Sequence, residues 1–241
     1  MSYTSVGMPT PMADAARFKT ASDQSLLVYF GEEITLEANR RIMKLLRLLQ
    51  SEPVAGIRNL HPAYNSLLVK FDALTLRHDE LEAILRQYLE RIEIEDVRLP
   101  EPRQVEIPVC YGGEFGPDLD ELSSMHGLTL PEAIELHASV EYVVFFLGFV
   151  PGFAYLGGLP KALATPRLAT PRRNVPAGSV GIAGDQTGVY PFATPGGWRL
   201  VGRTPVAIFQ PDRRDMSLLS IGDRVRFAPI SRETFAALEK T

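Results

Sequence analysis

A turn-dense, basic segment between Tyr142 and Gln210 limits the folds that this chain can adopt. It holds half of all the glycines and prolines, and Asp185 is its only acidic residue. Glycine permits positive φ angles and close approach to the main chain, whereas proline fixes φ and removes a backbone donor. This density predicts tightly turned loops, which suit either a functional site or a β-rich domain whose hairpins need turn residues.

The charge of the segment favours a site for an anionic group. Its basic residues are Lys161, Arg167, Arg172, Arg173, Arg199 and Arg203. They stand out in a chain of 241 residues whose formal net charge is -4. Guanidinium groups bind carboxylates and phosphates through paired, oriented hydrogen bonds. Arg172 and Arg203, each set among turn residues, are the leading candidates for such binding. The alternative is that both are solvated surface residues.

Composition places the chain among ordinary globular proteins and argues against several other classes. Hydrophobic residues make up 45% of the chain and charged residues 22%, as in most folded domains. The single cysteine, Cys110, cannot form an intramolecular disulfide, and the histidines lack metal-ligand spacing. Neither a signal peptide nor a membrane-spanning run is recognisable, so we expect a cytoplasmic protein with no membrane partner. The negative net charge argues against general nucleic-acid binding.

Hydrophobic periodicity predicts an α+β arrangement in the first half of the chain. Alternating and short apolar runs indicate strands, and apolar residues at i, i+3, i+4 and i+7 indicate helices. The predicted elements are a strand at 26–30, a helix around 42–49, strands at 57–60 and 67–71, a helix around 81–88 and a closing strand within 92–107. This order is β-α-β-β-α-β, which is the ferredoxin-like pattern.

Pro100 and Pro102 suit a linker, so we place a domain boundary near residues 98–104. The predicted division is a flexible N-terminal tail over 1–22, an α/β domain over 23–100 and a β-barrel domain over 101–241.

Two short helices are predicted after the boundary, at 118–125 and 131–137, and Thr129 with Glu132 forms a capping box for the second. Apolar runs at 143–147, 206–209 and 224–227 then alternate with Gly/Pro turns. This alternation predicts a small barrel or sandwich.

Several residues in the second half admit two interpretations. The run AGSVG at 177–181 approximates a nucleophile elbow, but it begins with alanine and no strand-to-helix turn is expected, so a catalytic serine is not favoured. No glycine-rich loop has the spacing of a nucleotide-binding motif. His137 either complements the dipole of its helix or belongs to a site. Trp198 either lies over a ligand or partner, or is buried in the barrel.

Five segments carry a specific resemblance. They are CYGGEFGPD at 110–118, FLGFVPGFAYLGG at 146–158, VPAGSVGIAG at 175–184, QTGVYP at 186–191 and TPGGW at 194–198. Together they resemble the family of 5-oxoprolinase B subunits, also known as KipI or allophanate hydrolase subunit 1. The resemblance implies a ferredoxin-like N-terminal domain followed by a cyclophilin-like β-barrel domain. It also implies ATP-dependent opening of 5-oxoproline to glutamate in a complex with subunits C and A, with ATP held outside this chain.

The resemblance and the turn-dense segment together define a candidate cleft for substrate or partner. Its residues are His137, Phe149, Pro151, Gly152, Phe153, Tyr155, Gly157, Gly158, Arg172, Gln186, Thr187, Tyr190, Gly196, Gly197, Trp198 and Arg203. We assign no catalytic residue and no metal ligand. The carboxylate of 5-oxoproline suits Arg172 or Arg203, and loop N–H groups suit its lactam carbonyl. We expect the loops at 149–158 and 196–198 to border one cleft.

Two other functions remain open at this stage. The chain is alternatively half of a carboxyltransferase or allophanate hydrolase acting on urea-derived amides, which needs a biotin-carrier partner. It is alternatively a KipI-like inhibitor of a sensor histidine kinase, binding through an exposed apolar groove without chemistry.

Overall fold

The computed structural model describes residues 16–239, and the chain divides into two compact units, Met1–Pro100 and Glu101–Thr241. The elements of the first unit are β1 (Arg17–Ser22), β2 (Ser25–Tyr29), α1 (Leu36–Ser51), β3 (Ile57–Pro62), β4 (Ser66–Phe71) and α2 (His78–Ile94). The strands form one antiparallel sheet in the order β1-β2-β4-β3.

Both helices of the first unit follow from their apolar spacing. The buried face of α1 carries Ile42, Leu45 and Leu49, and that of α2 carries Leu81 and Leu85. These residues pack in one hydrophobic core with the apolar side chains of β2 and β4. The predicted helices at 42–49 and 81–88 are confirmed.

The edge of the sheet beside β2 differs from the prediction. The closing strand predicted within 92–107 is wrong, because α2 continues to Ile94 and residues from Gln104 onward belong to the second unit. Strand β1 occupies that edge instead, inside the segment predicted as a tail over 1–22. The sequence offers little sign of β1, since Phe18 is its one half-buried residue and main-chain pairing to β2 holds it. The first fifteen residues of the predicted tail lie outside the described residues.

The second unit is built around a closed β-barrel. Its elements are β5 (Gln104–Tyr111), α3 (Leu119–Met125), α4 (Leu130–Ala138), β6 (Tyr142–Leu147), β7 (Ala154–Gly157), a 3-10 turn (Lys161–Leu163), β8 (Arg172–Val175), β9 (Ser179–Ala183), β10 (Gln186–Val189), β11 (Thr194–Gly196), β12 (Arg199–Arg203), β13 (Arg224–Pro229) and α5 (Arg232–Leu238). The barrel order is β10-β7-β6-β13-β5-β12-β9, and β8 pairs with β11 in a separate two-stranded sheet. The fold is therefore α+β with a seven-stranded barrel, as the turn-dense segment predicted in outline.

Successive side chains of the barrel strands enter two different apolar clusters, because a strand alternates its faces. On β7, Ala154 and Leu156 belong to the large cluster that fills the barrel, and Tyr155 packs against a smaller one. On β12, Val201 belongs to the large cluster and Leu200 to the smaller one. The smaller cluster therefore lies on the outer face of the barrel.

Two local sequence patterns of the second unit have different outcomes in the structure. The capping box of α4 is confirmed: the Thr129 N–H donates to Glu132 Oε2 at 2.7 Å, and the Glu132 N–H donates to Thr129 Oγ1 at 3.4 Å. The apolar run at 206–209 does not form a strand and makes only a single bridge, between Phe209 and Ser217. Its apolar character is explained by Ile208, which is buried in the barrel core. Across residues 16–239, no helix combines the length and the apolar character needed to cross a membrane.

Candidate functional site

Four aromatic side chains from the turn-dense segment pack together on the outer face of the barrel. The Phe153 ring centroid lies 5.4 Å from that of Trp198, 4.9 Å from that of Tyr155 and 5.2 Å from that of Tyr190. The contacts are edge-to-face, a favourable geometry for aromatic pairs. Tyr155 and Trp198 are in direct ring contact at 5.9 Å. The loops at 149–158 and 196–198 thus meet in what we call the aromatic cluster, defined by these four residues.

Glycines on neighbouring strands make room for Trp198. Gly181 on β9 and Gly188 on β10 are directly opposite each other. A Cβ atom on Gly181 would lie 3.1 Å from Trp198 Cβ, and one on Gly188 would lie 3.3 Å from the indole ring and 2.8 Å from the Ala154 carbonyl oxygen. A side chain at Gly188 therefore has no space. The glycine pair allows the indole to lie against the barrel wall.

The turn between β6 and β7 presents an exposed ring beside this cluster. Phe149 has a φ of 69°, which is rare for a bulky residue, and its surface is 61% exposed. Its ring contacts Phe153 edge-to-face at 5.6 Å. Gly152, at φ 79°, packs so closely on Phe209 that a Cβ atom there would lie 2.7 Å from Phe209 Cβ. Leu147–Gly152 line a shallow depression of about 320 Å³.

Arg172 is engaged by a buried carboxylate. Its Nη2 donates to Asp118 Oδ1 at 2.6 Å, and its Nη1 donates to the Trp198 carbonyl at 3.5 Å. Asp118 is 6% exposed, and its Oδ2 accepts from the Leu200 N–H at 2.6 Å. Asp118 stands at the start of α3, so this pair fastens α3 and β8 to the beginning of β12. Sequence reasoning missed Asp118 as a partner, although it closes one of the resembling segments.

Arg203 lies at the other end of β12. Its Nη2 donates to Glu239 Oε1 at 3.3 Å, and its guanidinium lies 5.5 Å from the Phe235 ring centroid. Both contacts are made to α5 and the residue that follows it. Its buried Nε has no acceptor among residues 16–239. Arg203 therefore lies at one end of β12, and Arg172 makes its contacts at the other end. Each arginine has a carboxylate partner within the chain.

His137 and Thr187 lie inside the barrel, in a chain of hydrogen bonds. The Thr187 hydroxyl donates to the Gly181 carbonyl at 3.0 Å, so Thr187 Oγ1 accepts from His137 Nε2 at 3.0 Å. His137 Nδ1 then accepts from the Tyr111 hydroxyl at 2.8 Å. The imidazole is 2% exposed and stacks on Phe227. Burial lowers the pKa of His137 to about 3, so the ring is neutral. The hydrogen bonds of the ring therefore explain the position of His137 better than an interaction with the helix dipole does.

Burial and a nearby cation shift the pKa values of the two hydroxyl groups of the aromatic cluster. Burial raises the pKa of both Tyr155 and Tyr190. The positive charge of Arg167 acts in the opposite direction on the pKa of both tyrosines. A hydrogen bond with the Trp198 backbone also lowers the pKa of Tyr190. The guanidinium of Arg167 lies 6.0 Å from the Trp198 ring centroid, so this arginine lies at the cluster. Arg167 is not among the site candidates predicted from the sequence.

The remaining candidates fall around these features. Gly157 is buried against the Phe145 ring, Gly158 turns at φ 100°, and Pro151 is exposed in the β6–β7 turn. Gly196 packs on the Tyr190 ring, and the Gly197 carbonyl accepts from the Leu168 N–H at 2.8 Å. Gln186 begins β10 and is half-buried. The candidates thus divide into an outer group at the aromatic cluster and an inner group of His137 and Thr187. Among residues 16–239 no cluster of three or more metal-ligating side chains is present.

Comparison with known proteins gives consistent matches. Residues 16–219 match the family model of the carboxyltransferase domain, subdomain C and D. The chain is 43% identical over 226 residues to the 5-oxoprolinase B subunit of Bacillus subtilis (strain 168), covering 90% of this chain and 94% of that protein. It is 45% identical over 215 residues to the 5-oxoprolinase B subunit of Escherichia coli O157:H7, covering 89% and 96%.

A solved structure is similar over most of the chain. The crystal structure of TTHA0988 superposes with a TM-score of 0.74 at 40% identity and covers 86% of this chain. This chain spans 40% of the length of that one. The solved relative therefore joins a region like this chain to a longer stretch of further polypeptide.

Proposed function

Because the chain belongs to the family of 5-oxoprolinase B subunits, we propose that it is one component of an enzyme that hydrolyses 5-oxoproline to glutamate with ATP. The observation that carries this proposal is identity of 43–45% to proteins of that name, over about nine tenths of both chains. The family model matches residues 16–219, so the similarity is not confined to the barrel.

The proposed enzyme is a complex in the cytoplasm in which this chain acts with subunits C and A. ATP is used by the complex, and this chain contributes no recognised nucleotide-binding motif. The greater length of TTHA0988 supports association with a second polypeptide, since that relative carries additional sequence in the same chain.

Within this chain we propose that the outer face of the barrel forms the substrate or partner cleft. The exposed ring of Phe149 and the half-buried ring of Tyr155 supply an apolar wall, and Arg167, whose guanidinium lies 6.0 Å from the Trp198 ring centroid, supplies positive charge. Sites for small ligands commonly combine such a wall with a few polar groups that fix orientation. We also propose that the barrel is of the cyclophilin-like type and that the first unit is a rearranged ferredoxin-like domain, in which β1 takes the edge of a closing strand.

The proposal is tested by reconstitution. This chain is purified with subunits C and A encoded in the same genome, and glutamate formation from 5-oxoproline and ATP is measured. We expect activity from the full set and none when this chain is omitted or assayed alone. Undiminished activity without this chain would contradict the proposal.

The carboxyltransferase description of the family model favours one alternative, a half-site for carboxyl transfer to urea-derived amides. The same purified set distinguishes the two functions. Carboxylation of urea by a carboxybiotin-loaded carrier protein, with no hydrolysis of 5-oxoproline, would favour the alternative.

A further inference from the structure

The basic residues of the turn-dense segment differ in whether the chain itself neutralises them. Arg172 is paired with Asp118, Arg199 with Glu121 and Arg203 with Glu239. Lys161, Arg167 and Arg173 are exposed, and none of the described ion pairs involves them. The three paired arginines have internal carboxylate partners, so the free charge of the segment resides in the other three residues.

Arg167 is distinguished from the other two by its contact with the aromatic cluster. Its guanidinium lies 6.0 Å from the Trp198 ring centroid, within the range of a cation–π contact. Its charge also acts on the hydroxyls of Tyr155 and Tyr190. The N–H donors of a guanidinium lie in its plane, and at this distance from the ring they remain able to bind a carboxylate.

The backbone on both sides of Arg167 is fixed to the loop that carries Trp198. The Leu168 N–H donates to the Gly197 carbonyl at 2.8 Å. Arg199 Nε donates to the Pro166 carbonyl at 3.2 Å. The position of Arg167 is therefore set by bonds to its two neighbours, while its own side chain stays exposed. Such preorganisation lowers the entropy lost when a ligand binds.

We propose that Arg167 binds the carboxylate of 5-oxoproline at the aromatic cluster, in place of the roles predicted for Arg172 and Arg203. This inference rests on the proposed function and names the group that recognises the substrate's negative charge. The apolar ring carbons of a five-membered lactam match the half-buried ring of Tyr155, the one ring of the aromatic cluster that is not buried. The carboxylate matches a guanidinium that has no ion pair among the described residues.

The test compares Arg167→Gln, Arg167→Lys and Arg173→Gln in the reconstituted complex. Arg173→Gln is the matched control, because Arg173 is an exposed arginine of the same segment without a described ion pair. We expect Arg167→Gln to raise KM for 5-oxoproline by roughly 10- to 100-fold, the range of a charge-assisted hydrogen bond. Its melting temperature and its assembly with the partner subunits stay at the wild-type values. We expect the KM of Arg167→Lys to lie between those of the wild type and Arg167→Gln, and the KM of Arg173→Gln to match the wild-type value.

A neutral lactam provides a second measurement. The lactam 2-pyrrolidinone has the ring of 5-oxoproline without the carboxylate, and we measure its inhibition constant against each variant. We expect Arg167→Gln to bind it as the wild type does, so the variant loses only the preference for the charged lactam. An equal loss of affinity for both lactams would contradict carboxylate recognition.

Other outcomes also test whether Arg167 recognises the carboxylate of 5-oxoproline. An unchanged KM in Arg167→Gln overturns the inference, and so does a variant that no longer assembles with its partners, since Arg167 then docks a protein. A lower melting temperature with unchanged KM in the folded fraction assigns Arg167 a structural role. Absence of 5-oxoproline hydrolysis by the wild-type complex refutes the proposed function itself, independently of Arg167.

Discussion

Phe149 combines an unusual backbone conformation with an exposed ring. A φ of 69° in a phenylalanine costs free energy because Cβ approaches the following carbonyl. Residues held in such conformations occur preferentially at functional sites. Phe149 borders the aromatic cluster through Phe153, so its strain lies at the proposed cleft.

Substituting Phe149 by alanine and by glycine distinguishes the effect of the backbone conformation on stability from that of the aromatic ring. Both variants lose the aromatic contact, but only alanine keeps the Cβ that disfavours positive φ. We expect Phe149→Gly to be more stable than Phe149→Ala by about 1 kcal/mol in urea unfolding. If both variants unfold at the same urea concentration, the turn does not hold this φ in solution.

The neutral state of His137 predicts a pH dependence of stability. Its pKa is about 3 in the folded protein and near the ordinary value of 6.5 when unfolded. Between those values the unfolded state binds a proton that the folded state excludes, so stability falls as pH falls below about 6.5. The slope contributed by this one group is at most about 1.4 kcal/mol per pH unit.

The measurement is urea unfolding from pH 7.5 to pH 4.5 for wild type and His137→Gln, with the partners Tyr111 and Thr187 unchanged. We expect the variant to be less stable at pH 7.5 but to lose less stability on acidification, because glutamine does not titrate. Parallel pH profiles would mean that His137 titrates with the same pKa in the folded and unfolded states. The carboxylates titrate in both proteins, so the difference between the profiles isolates the histidine.

At the scale of elements, Asp118 joins three parts of the second unit. Its carboxylate accepts from Arg172 at the start of β8 and from the Leu200 N–H in β12, and Asp118 itself precedes α3. Removing one member of a buried ion pair leaves the other without compensation, which costs more than the pair contributes as a whole. The pair is therefore structural whether or not a ligand lies nearby.

A double-mutant cycle measures this coupling. We expect Asp118→Ala to lower the free energy of unfolding by about 3 kcal/mol or more, since it also strands the Leu200 N–H. Arg172→Ala destabilises the wild type but has little further effect in Asp118→Ala. The pair of half-buried Arg203 and exposed Glu239 is the control, and its disruption costs about 1 kcal/mol or less. Additive effects at Asp118 and Arg172 would refute the coupling.

For the whole molecule, the two large hydrophobic cores have no residue in common. One is drawn from residues up to Val97, and the core that fills the barrel is drawn from residues beginning at Val105. A unit with its own core is able to fold by itself.

We therefore predict that residues 101–241, expressed alone, fold cooperatively. The measurement is thermal unfolding followed by circular dichroism, with residues 1–100 as the companion fragment. A fragment without a cooperative transition would mean that the barrel depends on the first unit.

Features that depend on local chemistry could be predicted from the amino-acid sequence. Helices α1, α2 and α4 follow from apolar spacing and from the Thr129 capping box, which operate within a few residues. The Gly/Pro density indicated the β-rich character of the second unit, because turns need those residues wherever the strands lie.

The way in which those elements and side chains combine depends instead on contacts between distant parts of the chain. Strand β1 is held by main-chain pairing to β2, which leaves little trace in side-chain pattern. Thr187 faces the barrel interior while the neighbouring Gly188 faces Trp198, and alternation along a strand does not tell which buried face is which. Arg172 and its partner Asp118 lie 54 residues apart. Whether an arginine is neutralised within the chain or left free, as at Arg167, depends on such distant pairings, and the fold alone sets them.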